Sequence, residues 1–325
     1  MTKHESFLLK PGSSKGKGPS NAILTGLAVF ILVLVSSTGL SAQTATDLDA
    51  SGNLRLSISG STFYQPKTHV SGGGDITVGS YRISANGLIP INDRFSFGLG
   101  LAYEFDDYNF SGLTGFAVPD PWNKIQRVGL SPRLVYKLQQ DWNLSFSPIV
   151  QYAGEQGAAF DKSLVYGGAM SAMHRVNRNL FVGLGAGVFY RLGETRLFPS
   201  LMVSWRITDQ LRFGNSNRLG PSGPAGLELA YTLDKNWEVS VGGGYRSNRF
   251  RLDHNGTTPD GIGQNATVPV CARIGRKLGQ DFHLDLYGGA ALGGSLRLED
   301  KNGNGIDSVH YNTAPIMGLT LSSFF

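Results

Sequence analysis

The stretch RFSFGLGLAYEF, residues 94–105, alternates apolar residues with small or polar ones along its whole length. On an extended strand successive side chains point to opposite sides, so one face would carry Phe95, Phe97, Leu99, Leu101 and Tyr103. The other face would carry serine, glycine and alanine, and then Glu104. The stretch therefore predicts a strand with one apolar face and one small, polar face.

The same alternation recurs through the chain from residue 53 onward. It is clearest in DWNLSFSPIVQY, residues 141–152, and in NWEVSVGGGYR, residues 236–246. Counting the segments predicts an all-β protein of about fourteen strands, with twelve as the alternative. The weakest segment is LRFG, residues 211–214, which is needed to keep successive strands antiparallel.

Very short polar turns alternate with longer loops rich in glycine, proline and asparagine. The longer loops are expected to include residues 192–196, 253–265 and 299–312. Short turns at one end, long loops at the other and an even strand number are typical of a bacterial outer-membrane barrel. The pattern thus predicts a transmembrane up-and-down antiparallel β-barrel. A soluble β-sandwich is the alternative, but the apolar face carries almost no charge, which favours contact with lipid.

The amino terminus predicts export. Four lysines, the last of them Lys17, precede the apolar run AILTGLAVFILVLV (residues 22–35), and small and polar residues follow it. Basic, apolar and then small residues is the order of a secretory signal peptide. We expect cleavage near Ala42, which leaves residues 43–325 as a single barrel domain; an uncleaved anchor is the alternative.

Composition agrees with an exported barrel and argues against nucleic-acid binding. The 325 residues include 44 glycines and only 16% charged residues, against a typical quarter. Removal of residues 1–42 lowers the formal net charge from +5 to +2, because four lysines and one glutamate are lost. No basic tract remains to neutralise phosphates.

One segment carries a resemblance to a known family. The stretch GPSGPAGLELAYTLDKNWEVSVGGGYRSNRFRLD (residues 220–253), followed by PDGIG (residues 259–263), resembles a poorly characterised family of bacterial outer-membrane β-barrel proteins. The resemblance covers most of the mature chain. It implies a barrel in the outer membrane, and it brings no reaction and no catalytic residue.

The chain ends in MGLTLSSFF, residues 317–325. By strand parity Phe325 would face lipid at the periplasmic rim, whereas Phe324 would face inward. We expect this closing strand to pair with the first strand. A terminal aromatic residue also resembles the signal that the barrel-assembly machinery reads, so Phe325 is the predicted assembly signal.

The predicted lumen carries charge, which is expected where the interior of a barrel is wet. One hypothesis is a network of ion pairs that rigidifies and partly plugs the barrel, and the other is a mildly cationic pathway for anionic or zwitterionic solutes. The predicted inward charges are Arg55, Arg82, Glu104, Arg133, Lys137, Arg206, Glu228, Glu238, Arg246, Arg273 and Asp285.

Little in the sequence indicates catalysis. His283 and Asp285 on one strand face are the best acid–base pair, but they belong equally well to the lumen network. There is no Gly-x-Ser-x-Gly nucleophile motif. Cys271, the single cysteine, is expected to be a packing residue on its strand.

One loop resembles a calcium-binding loop. EDKNGNGIDS (residues 299–308) spaces oxygen-bearing side chains at alternate positions before a glycine. The candidate ligands are Asp300, Asn302, Asn304 and Asp307. Position twelve is Tyr311, where such loops carry glutamate, so an Asn/Gly turn without an ion is the alternative. No other cofactor is predicted.

These observations favour a non-enzymatic outer-membrane barrel, either a passive channel or a transport-related protein. A structural or surface-interaction barrel is the alternative, and a lipid-modifying enzyme is the second alternative. The expected partners are outer-membrane lipid, the barrel-assembly machinery and small solutes.

Overall fold

A computed structural model describes residues 54–215 and 226–325, so the predicted signal peptide lies outside the described residues. Apart from one turn of 3-10 helix at Asp161–Ser163, the regular structure of the described residues is β-strand. None of their helices is long and apolar enough to cross a membrane. The sixteen strand segments are β1 (Arg55–His69), β2 (Asp75–Pro90), β3 (Phe95–Ser111), β4 (Lys124–Gln139), β5 (Trp142–Glu155), β6 (Leu164–Arg175), β7 (Leu180–Arg191), β8 (Glu194–Arg206), β9 (Leu211–Asn215), β10 (Leu227–Thr232), β11 (Trp237–Gly243), β12 (Arg246–Arg251), β13 (Ile262–Leu278), β14 (Phe282–Glu299), β15 (Gly305–Tyr311) and β16 (Ala314–Phe324).

The segments close into an antiparallel barrel. β12 continues β11 and β15 leads into β16, so the sixteen segments make fourteen strands around the barrel. The last strand pairs with the first, Ser57 opposite Phe324, which closes the sheet. The predicted fold class and strand number are confirmed. The weakest predicted segment, residues 211–214, forms part of β9.

The two faces of the barrel differ as the alternation predicts. On β3, Phe97, Leu99 and Leu101 are exposed on the outside, whereas Ser96 and Gly98 are buried inside. The exposed apolar face suits lipid, which has no competing hydrogen-bonding groups.

Three of the predicted long loops are shorter in the structure than the sequence predicts. The predicted long loop at residues 192–196 is a two-residue hairpin turn, because β7 ends at Arg191 and β8 begins at Glu194. Leu192 and Gly193 both adopt positive φ, 53° and 95°, as a tight hairpin turn of the primed type requires. The predicted loops at residues 253–265 and 299–312 are shorter than expected, because β13 begins at Ile262 and β15 spans Gly305–Tyr311.

At the end away from the short turns, part of the wall folds into the barrel. β12 and β15 flank the distal parts of β13 and β14, residues 262–267 and 294–299. We call these four segments the infolded sheet. Its far corner reaches the opposite wall, where Arg251 forms a parallel bridge with Gly154 of β5.

The four strands bend along one line. β11 and β12 are separated at residues 244–245, and β15 and β16 at residues 312–313. Between these two breaks the pairing of β13 with β14 changes register between Ala266 and Val268, where β14 has one extra residue. Gly293 of β14 lies at this point and has a φ of 60°. An extra residue of this kind bends a strand and increases its twist, so the coincidence of these three irregularities turns the sheet as a unit.

The infolded sheet buries an apolar face against the inside of the barrel. Its residues Phe250, Leu296 and Tyr311 belong to one cluster with Ile76 and Ile125 of the wall. Full burial of one such side chain stabilises the fold by about 1.5–3 kcal/mol. The end of the barrel away from the short turns therefore holds a hydrophobic core.

Candidate functional site

Below the infolded sheet the lumen is crossed by charged side chains. Arg82 on β2, Glu104 on β3 and Arg127 on β4 are directly opposite one another in the sheet. Their strands have the same inward parity, so the three side chains converge inside the barrel. Glu104 is only 7% exposed, and a buried carboxylate is stable only when it is paired and hydrogen-bonded.

Glu104 is the centre of the first ionic group. It accepts hydrogen bonds from Arg127 Nη2 at 2.6 Å and from Arg82 Nη1 at 3.3 Å. Arg246 Nη2 reaches it from β12. Arg127 also donates to Asp106 Oδ2. We call these five residues the Glu104 cluster; it connects the β2–β4 wall to the start of the infolded sheet.

A second ionic group lies on β9–β11, β13 and β14. Arg273 donates to Asp285 at 2.7 Å and to Glu238 at 2.8 Å, and it also contacts Glu228. Arg212 donates to Glu238 at 2.9 Å. We call these five residues the Arg273 cluster. Every carboxylate in it meets a guanidinium.

The structure distributes the sequence-predicted lumen charges over three regions. Arg82, Glu104 and Arg246 lie in the Glu104 cluster, and the Arg273 cluster holds Glu228, Glu238, Arg273 and Asp285. The remaining predicted residues lie nearer the short-turn end: Arg55 at the start of β1, Arg133 and Lys137 on β4, and Arg206 at the end of β8. Of these, Arg133 Nε donates to Ser147 Oγ at 3.4 Å.

Sequence reasoning missed three members of the clusters. Asp106 has the inward parity of Glu104, and Arg127 has that of Arg133, so the alternation could have found both. Arg212 lies on the short strand β9, where the pattern is too brief to fix a face.

Arginines also hold the infolded sheet against the β7–β8 turn. Arg249 donates to both carboxylate oxygens of Glu299, at 3.0 and 2.6 Å. It further donates to the carbonyl oxygens of Arg191 at 3.1 Å and Leu192 at 3.3 Å. A bidentate guanidinium–carboxylate pair fixes geometry as well as charge, so Arg249 orients β12 relative to the wall.

Trp122 anchors the apolar side of the closure. Its ring packs edge-on against Phe250 at 5.3 Å, Phe110 at 5.6 Å and Tyr108 at 6.1 Å between ring centroids. Edge-to-face pairs each contribute about 0.5–1.5 kcal/mol beyond burial. The connection between β3 and β4 thus packs onto the infolded sheet.

The candidate calcium loop uses its oxygens internally. The Asp300 carboxylate accepts the side-chain N–H of Asn304 Nδ2 at 2.9 Å and the backbone N–H groups of Asn304 at 2.9 Å and Asn302 at 2.8 Å. The bond from the Asn304 side chain, followed by the backbone bonds, holds the pKa of Asp300 below its ordinary value. Asp307 Oδ2 instead accepts the N–H of Ala117 at 2.7 Å. Within residues 54–215 and 226–325 no three His, Cys, Asp or Glu side chains form a metal-binding group. Weak calcium binding at this loop stays a prediction.

The acid–base pair predicted from sequence belongs to the lumen. His283 Nε2 lies 3.3 Å from Asp285 Oδ1, and the same oxygen accepts from Arg273. His283 is 5% exposed, and Cys271 is buried on the same inner wall.

A closed antiparallel barrel of fourteen strands, apolar outside and charged inside, defines a transmembrane β-barrel of the outer-membrane class. Within that class, residues 122–322 match the family described as a domain of unknown function, DUF6268. The chain belongs to this family, which agrees with the resemblance seen in the sequence.

Solved barrels resemble the chain at low identity. The COG4313 outer membrane channel from Pseudomonas putida F1 is 11% identical over 87% of this chain and 99% of that chain, with a TM-score of 0.48. A Pseudomonas aeruginosa FadL homologue is 15% identical over 84% of this chain and 89% of its own, with a TM-score of 0.43. The Pseudomonas putida toluene transporter TodX is 11% identical over 89% and 95%, with a TM-score of 0.38. No curated protein matches the chain.

Proposed function

We propose that this chain is a non-enzymatic, transport-related barrel of the bacterial outer membrane. A signal peptide directs its export and is removed by cleavage near Ala42. The observation that carries the proposal is the charged lumen at Glu104 and Arg273, because charged side chains inside a pore select the solutes that pass through it. The sequence-predicted inward charges include more cations than anions. We therefore expect small anionic or zwitterionic solutes to be favoured.

The infolded sheet is the barrier in this proposal. Its apolar core lies between the lumen and the distal side, so a solute crosses only when the sheet shifts away from the wall. Val70 and Tyr311 form an isolated antiparallel bridge between the β1 end and the infolded sheet. Bridge partners have Cα atoms about 4.5–5.5 Å apart, within the range that a disulfide spans.

This bridge allows a direct test in planar bilayers. The variant combines Val70→Cys and Tyr311→Cys in a Cys271→Ala background, and the matched control is Cys271→Ala alone. We expect solute-dependent current from the control and from the reduced variant, and loss of current when the variant is oxidised. A correctly folded barrel that is silent in every redox state would contradict the transport proposal.

That silent outcome would favour a structural or surface-interaction barrel. The specific observation in its favour is the number of backbone bonds that fix the distal surface. Ser71 donates to the carbonyl oxygen of His310 at 2.8 Å, and Asn312 donates to that of His69 at 3.0 Å. Such a surface would present fixed loops to a partner outside the cell.

A lipid-modifying enzyme is the third candidate, and it has one testable residue. His283 is buried in the lumen wall, away from the lipid face, so we expect no lipid turnover from the purified barrel. Lipid hydrolysis that disappears in His283→Ala, with folding retained, would overturn the non-enzymatic proposal. His174→Ala, at another histidine on β6, is the matched control.

A further inference from the structure

The seam between the infolded sheet and the barrel wall contains a cavity of about 20 Å³. The wall contributes Gln65, Ser80 and Asp106 to its lining, and the infolded sheet contributes Arg246, Asn248 and Asn265. The lining also includes the apolar side chains of Phe63, Val78 and Pro269, and the cavity lies beside the Glu104 cluster. The cavity lies in the infolded sheet's contact with the wall. Its occupancy can therefore be tested whether or not solutes cross the barrel.

Two polar atoms of the lining residues are buried without a partner. Gln65 Nε2 and Asp106 Oδ1 lack a hydrogen bond within the part of the chain that the structure describes. Gln65 is 2% exposed and Asp106 is 1% exposed, so bulk water cannot satisfy them. An unsatisfied buried group costs about 1–3 kcal/mol, and more when it is charged. A donor and an acceptor without partners, on two residues that line one cavity, therefore indicate a hydrogen-bonding guest.

We propose that one water molecule occupies this cavity, accepting from Gln65 Nε2 and donating to Asp106 Oδ1. A water needs about 10–15 Å³ of such space and two to four polar partners, and the cavity provides both. The water joins β1 to β3 beside Arg246, where β12 begins, and so completes the polar layer beneath the hydrophobic core.

A crystal structure of the detergent-folded barrel tests the assignment directly. We expect one density peak within about 2.7–3.2 Å of both atoms, at a resolution that shows other buried waters. An empty cavity, or a direct Gln65–Asp106 contact in its place, overturns the proposal.

Thermal unfolding of Gln65→Met gives a second test, because the direction in which the midpoint temperature changes depends on whether the water is present. If the water is present, the substitution removes one of its partners, and the midpoint falls by about 2–4 °C relative to the control. If the cavity is dry, the substitution deletes an unsatisfied donor, and the midpoint stays equal or rises, which overturns the proposal. Gln151→Met is the matched control, since Gln151 lies on the lumen face of β5 and does not line the cavity.

Discussion

Arg246 crosses the barrel lumen and donates a hydrogen bond to Glu104, 142 positions away in the sequence. Arg246 follows the break between β11 and β12, so the bond connects the first residue of the infolded sheet to the opposite wall. The same guanidinium lies over the ring of Phe63, 5.8 Å from its centroid. This contact marks the level at which the lumen changes from ionic to apolar.

The first prediction concerns the asymmetry of this pair. Glu104→Gln leaves Arg82 and Arg246 without the carboxylate that both contact, whereas Arg246→Met leaves Glu104 bonded to two arginines. Removal of one member of a buried ion pair costs about 3–5 kcal/mol when the other charge is left uncompensated. We therefore expect a larger loss of unfolding free energy in urea for Glu104→Gln than for Arg246→Met. Equal losses would contradict the central role of Glu104.

A second prediction concerns the β7–β8 turn. Leu192 combines positive φ with a fully buried side chain. Leu192→Gly relieves about 1–2 kcal/mol of left-handed strain, but truncation of a buried leucine costs about 2–5 kcal/mol. We expect a net loss of stability in urea unfolding. Arg196→Gly, at an exposed position on neighbouring β8, is the control. A more stable Leu192→Gly barrel would show that the burial of the Leu192 side chain contributes less free energy than its backbone strain costs.

The third prediction concerns acid. In the connection between β12 and β13, Asp260 accepts a hydrogen bond from Lys162 Nζ at 2.7 Å and lies 3.1 Å from His254 Nδ1. The bond from Lys162, followed by that from His254, lowers the pKa of Asp260. A pKa that is lower in the folded state stabilises that state at pH values above the unfolded-state pKa. This contribution is lost as the pH falls through the folded-state pKa.

We therefore expect faster hydrogen exchange in residues 252–261 once the pH falls below about 4. Asp260→Asn should exchange at a similar rate at neutral and acidic pH, after correction for the intrinsic pH dependence of exchange. An identical pH response in the unmodified protein and the variant would remove Asp260 as the cause.

The fourth prediction concerns the carboxyl terminus. Phe325 and Leu56 exchange two backbone hydrogen bonds, at 2.8 and 3.1 Å, and Phe324 pairs with Ser57. Because lipid-facing Phe325 is the predicted assembly signal, Phe325→Ser should reduce the folded barrel in outer-membrane fractions more than Phe324→Ser. Equal amounts of both variants would refute the assignment of the signal to Phe325.

The barrel itself could be predicted from the sequence because its faces alternate with period two. Glu104 lies inside and Leu101 outside for the same reason that residues 94–105 alternate. The inward-facing charges could be predicted from strand parity, and the existence of β9 could be predicted from the need for an even number of strands. The partners of each charge could not be chosen, because Glu104 meets Arg82 and Arg127 only through the register of three strands.

The sequence by itself determined the closed sheet, the lipid-facing side and the strand count, since each depends on local alternation and on turns a few residues long. Only the tertiary structure decided that the distal mouth is filled. The extra residue at Gly293 changes the inward positions of β14 from Tyr287 and Ala291 to Leu296 and Leu298. A shift of one residue exchanges the two faces of a strand, and the chain is also interrupted at this level between β11 and β12 and between β15 and β16. Whether such a bend points inward depends on contacts between residues far apart in sequence, such as Arg251 with Gly154 and Arg246 with Glu104.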